Sequence, residues 1–351
     1  MYLYWSIFSL IAILSIINIK VEKRLQQILR IFFLFFLTFF VGFRYKVGGD
    51  WDIYLYDFYH NVEYFNLLNF EFVRDFGYEF ISYISYNLNI EIYGLNLILA
   101  FIFIYSLNKF ATQFNEKNYW LIFLISFPYL ILIVAMGYTR QATALAFSIL
   151  ALCSIENKKL YSFFILSIFA ILFHKSSVLM TALIFISYFK INLKNITIFT
   201  LLVLISFLTI FPEIDRISGG YLNEFSQYQS PGVKYRIALN ILSGVIFVFF
   251  YKKLSANSGL DKLLVLILIF NLALLFFINN YSTLVDRIII YFSLIQIIIF
   301  SKLYLITPNF KILINIGVIM IYSLLLFIWI NFSNHSYAWL PYQNIIFLNI
   351  K

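Results

Sequence analysis

The sequence has little charge. Only 12% of its 351 residues are Asp, Glu, Lys or Arg, while 63% are hydrophobic. So few charged side chains cannot cover the surface of a soluble globule of this size. The composition therefore excludes a soluble domain and predicts an integral membrane protein. The predicted fold class is all-α, because continuous apolar runs without alternation satisfy their backbone in lipid as helices and not as a β-barrel.

Cysteine and histidine are also scarce. The single cysteine, Cys153, excludes a disulfide framework and a CxxC metal site. The three histidines, His60, His174 and His335, are far apart in sequence, which argues against a histidine metal cluster. The chain has no Walker lysine loop, no DxD cluster in a predicted cytoplasmic loop and no basic block. We therefore expect no metal, no cofactor and no nucleic acid partner, despite a net charge of +9.

Apolar runs of roughly 17 to 25 residues, or somewhat shorter, predict the transmembrane helices. They predict about twelve helices in a single transmembrane domain over residues 1–351, with an outer N-terminus and no signal peptide. The basic segment 20–30 is predicted to be a cytoplasmic loop. The other lysine-rich connections lie on the cytoplasmic side as well only if residues 77–93 do not cross the membrane and form a re-entrant or amphipathic segment. The predicted spans are residues 2–19, 28–43, 92–108, 119–137, 140–155, 159–173, 176–189, 195–212, 237–251, 263–280, 285–301 and 312–330.

This topology separates the two kinds of basic residue. Most lysines fall on the predicted cytoplasmic side, whereas most arginines and acidic residues fall on the outer side. Arginine grips an oxyanion with a planar fork, whereas lysine acts as a point charge. We therefore hypothesise that the outer arginines share an anionic ligand, the alternative being that they only pair with outer acids. These arginines are Arg44, Arg74, Arg140, Arg216, Arg236 and Arg287.

The segment RYKVGGDWDIY, residues 44–54, follows the second predicted helix. Gly48 and Gly49 allow a sharp turn that is predicted to bring two aspartates back over the arginine at its start. Asp50 is a candidate base, or equally a turn former. The outer loops 44–76 and 213–236 are predicted to form part of the site. The first loop and the segment after it contribute the candidate binding residues Arg44, Asp52, Tyr54 and Glu79.

Two later segments carry further candidates. Arg140 stands at the outer start of a helix, and a helix N-terminus with an arginine makes an anion site. An arginine at this depth is costly unless it is paired or hydrated. His174 stands at the outer end of another span, and histidine suits proton transfer near neutral pH. The remaining candidate residues are Gln141, Lys175, Arg236, Asp286, Arg287, Tyr291 and Tyr342.

Five short motifs follow one another along the chain: R-Y-x-V-G-x-D-W-x-x-Y at 44–54, R-Q-x-x-A at 140–144, H-K-S at 174–176, D-R-x-x-x-Y at 286–291 and W-x-P-Y at 339–342. In this order, the motifs resemble the EpsG-like branch of the Wzy-type polysaccharide polymerases. The resemblance implies a GT-C-like, multi-pass glycosyltransferase of the bacterial cytoplasmic membrane that joins O-antigen, capsule or exopolysaccharide repeat units. It implies undecaprenyl diphosphate-linked oligosaccharides and membrane lipids as ligands, with a flippase and a chain-length regulator as partners.

The resemblance also implies a mechanism without a metal. Arginines would stabilise the charge that develops on the leaving diphosphate. Arg140 and Arg287 are the first candidates for this role, and the arginines at 44 and 236 come next. His174 is the first candidate base and Asp50 the second, and a single displacement would invert the anomeric centre.

Three alternatives were compared with this interpretation. A flippase or other secondary transporter shares the helix count, but transporters tend to show repeated halves and polar breaks near the midplane. No convincing internal repeat occurs here. An O-antigen ligase uses the same chemistry, and only the order of the motifs argues against it. A membrane acyltransferase is disfavoured because the first histidine, His60, lies within an aromatic loop.

Overall fold

The computed structural model describes residues 1–17, 23–65, 75–190, 192, 195, 197, 200 and 230–348. Within these ranges every regular element is a helix, which confirms the all-α prediction. The helices are α1 Tyr2–Ile16, α2 Lys23–Gly42, α3 Trp51–Tyr64, α4 Phe76–Asn87, α5 Glu91–Asn115, α6 Tyr119–Ser126, α7 Ala135–Gly137, α8 Thr139–Glu156, α9 Leu160–Phe173, α10 Ser177–Tyr188, α11 Val233–Phe249, α12 Tyr251–Leu254, α13 Ser258–Leu274, α14 Ser282–Phe292, α15 Leu294–Lys302, α16 Lys311–Phe332 and α17 Ile345–Leu348.

Four helical runs in the described residues are long and apolar enough to cross a membrane. The helices α14 and α15 meet at an angle of 44°. Together with the turn that extends α15 to Leu305, they make a fifth span if the bent pair is counted as one. The predicted count of about twelve is therefore not confirmed. The apolar helices α1, α9 and α10 are shorter. The four runs are Lys23–Gly42, Glu91–Gly137, Ser258–Phe277 and Pro308–Phe332.

The longest of these runs, Glu91–Gly137, folds back on itself. Its 47 residues would extend roughly 70 Å as one helix, more than twice the bilayer core of about 30 Å. A 3₁₀ turn at Glu116–Asn118 reverses the chain, and the Tyr119 hydroxyl donates to Asn108 Oδ1 at 2.9 Å across the reversal. Pro128 has no amide proton, and the returning helix is wound as a π-helix from Phe127 to Val134.

Helix α8 lies at the centre of the bundle, against α5 on one side and α9 on the other. Its small residues Ala142, Ala144 and Ala146 are buried, and small side chains let neighbouring helices approach closely. Helix α6 packs between α1 and α15, and α11 packs against α13, α14 and α15. Large apolar side chains such as Phe32, Phe276 and Phe332 are exposed on the outside of the bundle.

Charged side chains concentrate at the two ends of the bundle. One end, here called the arginine end, joins the α2–α3 turn, the start of α8, the α9–α10 turn and the starts of α11 and α14. The opposite end, here called the lysine end, is built from ion pairs and amide contacts such as Arg30 Nη1 to Glu116 Oε1 at 2.9 Å. Its exposed or half-buried lysines include Lys117, Lys158, Lys159, Lys252, Lys253 and Lys311.

Some local predictions need correction, and others concern residues that the structure does not describe. The basic segment 20–30 is not a loop from Lys23 onward, because these residues are the first turns of α2. Residues 77–93 include α4, whose 12 residues span about 18 Å, too short to cross the bilayer core, which fits the predicted non-crossing segment. Arg74, Arg216, residues 213–229 and most of the predicted span 195–212 lie outside the described residues.

Candidate functional site at the arginine end

The α2–α3 turn is held by close backbone contact. Gly48 has φ +116°, and a Cβ at this position would lie 2.5 Å from the carbonyl oxygen of Met136. Only glycine combines this conformation with this approach. The Gly48 amide donates to Ala338 O at 2.9 Å, and Trp339 Nε1 donates to Leu132 O at 2.8 Å. The C-terminal segment therefore fixes the turn against the π-helical part of the bundle.

Arg44 is buried at this turn, with only 2% of its surface exposed. Its guanidinium donates to Val41 O at 2.9 Å, Val47 O at 3.2 Å and Asn96 Oδ1 at 3.1 Å. Burial lowers its pKa to about 10, so the group stays charged at neutral pH. Because protein acceptors occupy these nitrogens, the geometry favours a structural role over the predicted contact with a diphosphate.

Arg140, at the start of α8, reaches the loop helices α3 and α4. Its Nη2 lies 2.8 Å from Asp57 Oδ2, and its Nη1 lies 3.9 Å from Asp75 Oδ2. The guanidinium also lies over the rings of Tyr54 and Tyr78, at 5.4 and 4.6 Å from their centroids. Cation–π contact and the carboxylates together hold this charge in a mostly buried position. Within the described part of the chain, the Nε atom of Arg140 has no hydrogen-bond partner.

Arg236 forms a second arginine–carboxylate–tyrosine unit. Its Nη2 lies 2.6 Å from Asp286 Oδ1, where the carboxylate side chain is 6% exposed. The guanidinium lies 4.9 Å from the ring centroid of Tyr129, which belongs to the π-helical stretch. As in the first unit, Nε is buried and has no hydrogen-bond partner among the residues that the structure describes.

Arg287, the residue after Asp286, forms the most open of the three units. Its Nη2 lies 4.0 Å from Asp50 Oδ2, and the two side chains are 25% and 35% exposed. The guanidinium lies 4.1 Å from the ring centroid of Tyr138. The prediction that the glycine turn brings Asp50 and Asp52 over Arg44 is wrong, because Arg287 on α14 is the cation beside Asp50 and Asp52 is exposed.

The carboxyl of Asp50 lies outside the helices that cross the membrane. Burial raises its pKa above the ordinary value for aspartate, and this effect exceeds the opposing influence of Arg287, Arg140 and His335. A carboxylate with a raised pKa is a stronger base than a free one. Asp50 is therefore placed, next to an exposed arginine, as a group that can accept a proton.

A hydrogen-bonded chain joins Arg287 to His174. Arg287 Nη1 donates to Gln141 Oε1 at 3.1 Å, and Gln141 Nε2 donates to the Arg287 carbonyl at 2.8 Å and to Ser176 Oγ at 3.3 Å. Ser176 Oγ lies 2.6 Å from His174 Nδ1 and 3.1 Å from the Tyr291 hydroxyl. The structure thus brings three predicted motifs, at 140–144, 174–176 and 286–291, into one network.

The other candidate residues have different surroundings. Tyr342 donates to Phe40 O at 2.7 Å and stacks on its ring, which favours a structural position over ligand binding. Lys175 is 9% exposed, and Glu79 is half buried beside Tyr78. Gln141 and Tyr291 are each 1% exposed, so a ligand in solvent cannot reach them directly. They hold the more exposed side chains of Arg287 and Ser176 in place.

Sequence reasoning missed Asp57, Asp75, Tyr129 and Tyr138. One signal was available: Asp50, Tyr54 and Asp57 are spaced i, i+4 and i+7, so they share one face of a helix. Treating residues 44–76 as a loop hid that face. Tyr129 carried no signal of its own, because its place depends on the π-helical winding.

In a comparison with known protein families, residues 27–344 match the model of the EpsG family. The chain belongs to the EpsG family. No curated protein and no solved structure matches it. The match covers all five motifs that carried the resemblance, and the family is associated with Wzy-type polysaccharide polymerases.

Proposed function

We propose that this EpsG-family protein is a polymerase that joins lipid diphosphate-linked oligosaccharide repeat units in a bacterial cytoplasmic membrane. The observation that carries the proposal is the gathering of three arginine–carboxylate–tyrosine units, at Arg140, Arg236 and Arg287, on one end of an apolar helical bundle. Arginine clusters of this kind suit phosphate oxygens. The polysaccharide class comes from the family.

The distribution of lysines supports an outer-leaflet site. The lysine end carries the basic residues that the positive-inside rule assigns to the cytoplasm, and the arginine end lies opposite. The substrate would then be an undecaprenyl diphosphate-linked oligosaccharide that a flippase has already delivered. A protein that sets chain length would act on the growing product.

The proposed reaction is a single displacement. A sugar hydroxyl of one lipid-linked unit attacks the anomeric carbon of another, a carbon–oxygen bond forms, and the bond from that carbon to the diphosphate oxygen breaks. The diphosphate leaves with the electron pair, and Arg287, Arg140 and Arg236 stabilise its charge. The hydroxyl proton passes to Asp50 or His174. The anomeric centre is inverted, and the arginines take the electrostatic role that a metal has elsewhere.

An apolar groove beside the site fits a lipid-linked substrate. It has a volume of about 590 Å³ and runs along α11 toward the end of α13. Lys234, two residues before Arg236, is one of the residues that line it, so a cationic group adjoins the apolar groove. Apolar side chains including Ile237, Ile241, Leu242, Val245, Leu275 and Ile278 line it. This arrangement suits a polyprenyl chain whose diphosphate lies at the arginine end.

Reconstitution tests the proposal directly. The purified protein in liposomes would be given a lipid diphosphate-linked oligosaccharide as the only sugar donor. We expect lipid-linked products of two and more repeats, release of lipid diphosphate, and no loss of activity in excess EDTA. Movement of the donor across the bilayer without new linkages would indicate a transporter. Transfer to a non-oligosaccharide acceptor such as lipid A core, without chain growth, would indicate a ligase.

A further inference from the structure

The hydroxyl of Ser176 lies at the centre of the chain that joins Arg287 to His174. Three side-chain groups surround its oxygen: Gln141 Nε2 at 3.3 Å, Tyr291 Oη at 3.1 Å and His174 Nδ1 at 2.6 Å. A serine hydroxyl can donate one hydrogen bond and accept two. Ser176 therefore uses its full capacity, and the direction of each bond can be worked out.

The amide of Gln141 has one orientation only. Its oxygen must accept from Arg287 Nη1, since a guanidinium is a donor without an acceptor, and its nitrogen donates to the Arg287 carbonyl at 2.8 Å. The same nitrogen faces Ser176 Oγ, so the serine oxygen accepts from Gln141. Arg287 thus sets the direction of the first bond in the chain.

The position of the proton on the His174 imidazole is constrained by the backbone amide of Ser176. The amide N–H of Ser176 donates to His174 Nδ1 at 3.3 Å, so this nitrogen is an acceptor. A proton on Nδ1 would point at that amide hydrogen. Ser176 Oγ–H must then donate to Nδ1 at 2.6 Å. The hydroxyl oxygens of Ser176 and Tyr291 are 3.1 Å apart, and either hydroxyl can supply the hydrogen of that contact; with the serine hydrogen on Nδ1, we infer that Tyr291 supplies it. With Nδ1 accepting, the proton of the neutral imidazole lies on Nε2.

We propose that Ser176, held by Gln141 and Tyr291, is a positioning residue that keeps His174 in the Nε2–H tautomer. In this tautomer Nε2 carries a proton and has no lone pair, so His174 is a hydrogen-bond donor at that nitrogen and not the base that removes a proton. This role in the reaction rests on the proposed function. It assigns the proton of the attacking hydroxyl to the carboxylate of Asp50, next to Arg287.

The tautomer can be measured without any substrate. The full-length protein, labelled with ¹⁵N-histidine and reconstituted in lipid nanodiscs, carries only three histidines, at 60, 174 and 335. A His174→Gln variant assigns the signal. At neutral pH we expect His174 to show a protonated Nε2 and an unprotonated Nδ1. In Ser176→Ala this signal should shift toward a mixture of tautomers, while Ser176→Thr, which keeps the hydroxyl, should restore it. A wild-type His174 protonated on Nδ1 would overturn the proposal.

Activity gives a second, separate readout. Ser176→Ala should lower the turnover of polymerisation about tenfold, the rate equivalent of one hydrogen bond, with little change in KM, and Ser176→Thr should recover most of it. Equal turnover in Ser176→Ala and wild type would contradict the positioning role. If the tautomer is as expected but the wild-type protein forms no polymer, the proposed function fails while the assignment of His174 stands.

Discussion

Arg287 donates from Nη1 to Gln141 Oε1 at 3.1 Å, which joins two motifs 146 residues apart in the sequence. The glutamine returns the contact by donating to the Arg287 carbonyl at 2.8 Å. This reciprocal pair fixes the arginine at the start of α14 to the start of α8, beside His174 and Asp50. The most exposed guanidinium of the site is therefore supported by a nearly fully buried amide.

Replacing Gln141 by alanine should weaken both the fold and the reaction. The change removes the side-chain donor to the Arg287 carbonyl and the acceptor of Arg287 Nη1, which costs about 1–3 kcal/mol of unfolding free energy, and it frees the guanidinium to move. Gln113→Ala is the matched control, because Gln113 donates to the Cys153 carbonyl at 3.0 Å at the lysine end. Thermal unfolding in detergent and polymer synthesis should show both variants destabilised and only the Gln141 variant impaired in turnover per folded molecule. Equal turnover in the two would contradict the prediction.

Gly48→Ala should disrupt the turn that carries the site. A side chain at φ +116° is strained, and its Cβ would lie 2.5 Å from Met136 O, so we expect a loss of more than about 2 kcal/mol. Gly317→Ala, in the helix α16, is the control. A Cβ there would have no atom of another described part of the chain within 4 Å. That change should be neutral or stabilise by about 0.5–1 kcal/mol. Similar melting temperatures for the two variants would refute the close contact at Gly48.

Asp286→Ala should be strongly destabilising. The carboxylate is 2.6 Å from Arg236, and its removal leaves a largely buried guanidinium without a counter-charge, at a cost of about 3–5 kcal/mol. Adding Arg236→Met should recover part of the loss, because the double variant has no unpaired charge. Unfolding of Asp286→Ala, Arg236→Met and the double variant in detergent checks this. Strictly additive losses would show that the two side chains do not interact.

The pH dependence of polymerisation should report Asp50. Burial raises its pKa, so a reaction that needs the carboxylate loses rate as pH falls through this raised value. Arg287 lowers the pKa of Asp50, so in Arg287→Gln the Asp50 carboxyl itself, followed by ¹³C NMR, should titrate at higher pH than in wild type. Asp50→Asn should abolish activity at every pH. A wild-type acid limb that does not coincide with the titration of the Asp50 carboxyl would assign the limb to another group.

Much of the fold could be predicted because apolar runs in lipid have one way to satisfy their backbone. The ends of these runs also placed Arg140, His174 and Arg287 together before any contact was known. The count of spans was harder, since several apolar helices, such as the 15-residue α1, are shorter than one bilayer crossing.

The site itself was predicted only in outline. The sequence predicts a loop over residues 44–76, because aromatic residues and acids hide the helical period of α3, and this prediction misses Asp57. Arg44 and Tyr342 looked like ligand contacts because their types suit binding, but packing of the chain ends around them gives both hydrogen-bond partners within the protein. Tertiary contacts decide which polar groups are buried within the protein. The periodicity of the sequence does not predict these contacts.

The central claim is best tested in cells that lack their own polymerase but supply the cognate lipid-linked repeat unit. Wild-type protein would be compared with Arg287→Lys, Arg140→Lys and the control Arg30→Lys, which alters an ion pair at the lysine end. We predict a polymer ladder from wild type and the control, and a single repeat unit from the other two at equal protein levels. Unchanged ladders from Arg287→Lys and Arg140→Lys would contradict the assigned site, and the absence of any ladder from wild type would contradict the polymerase.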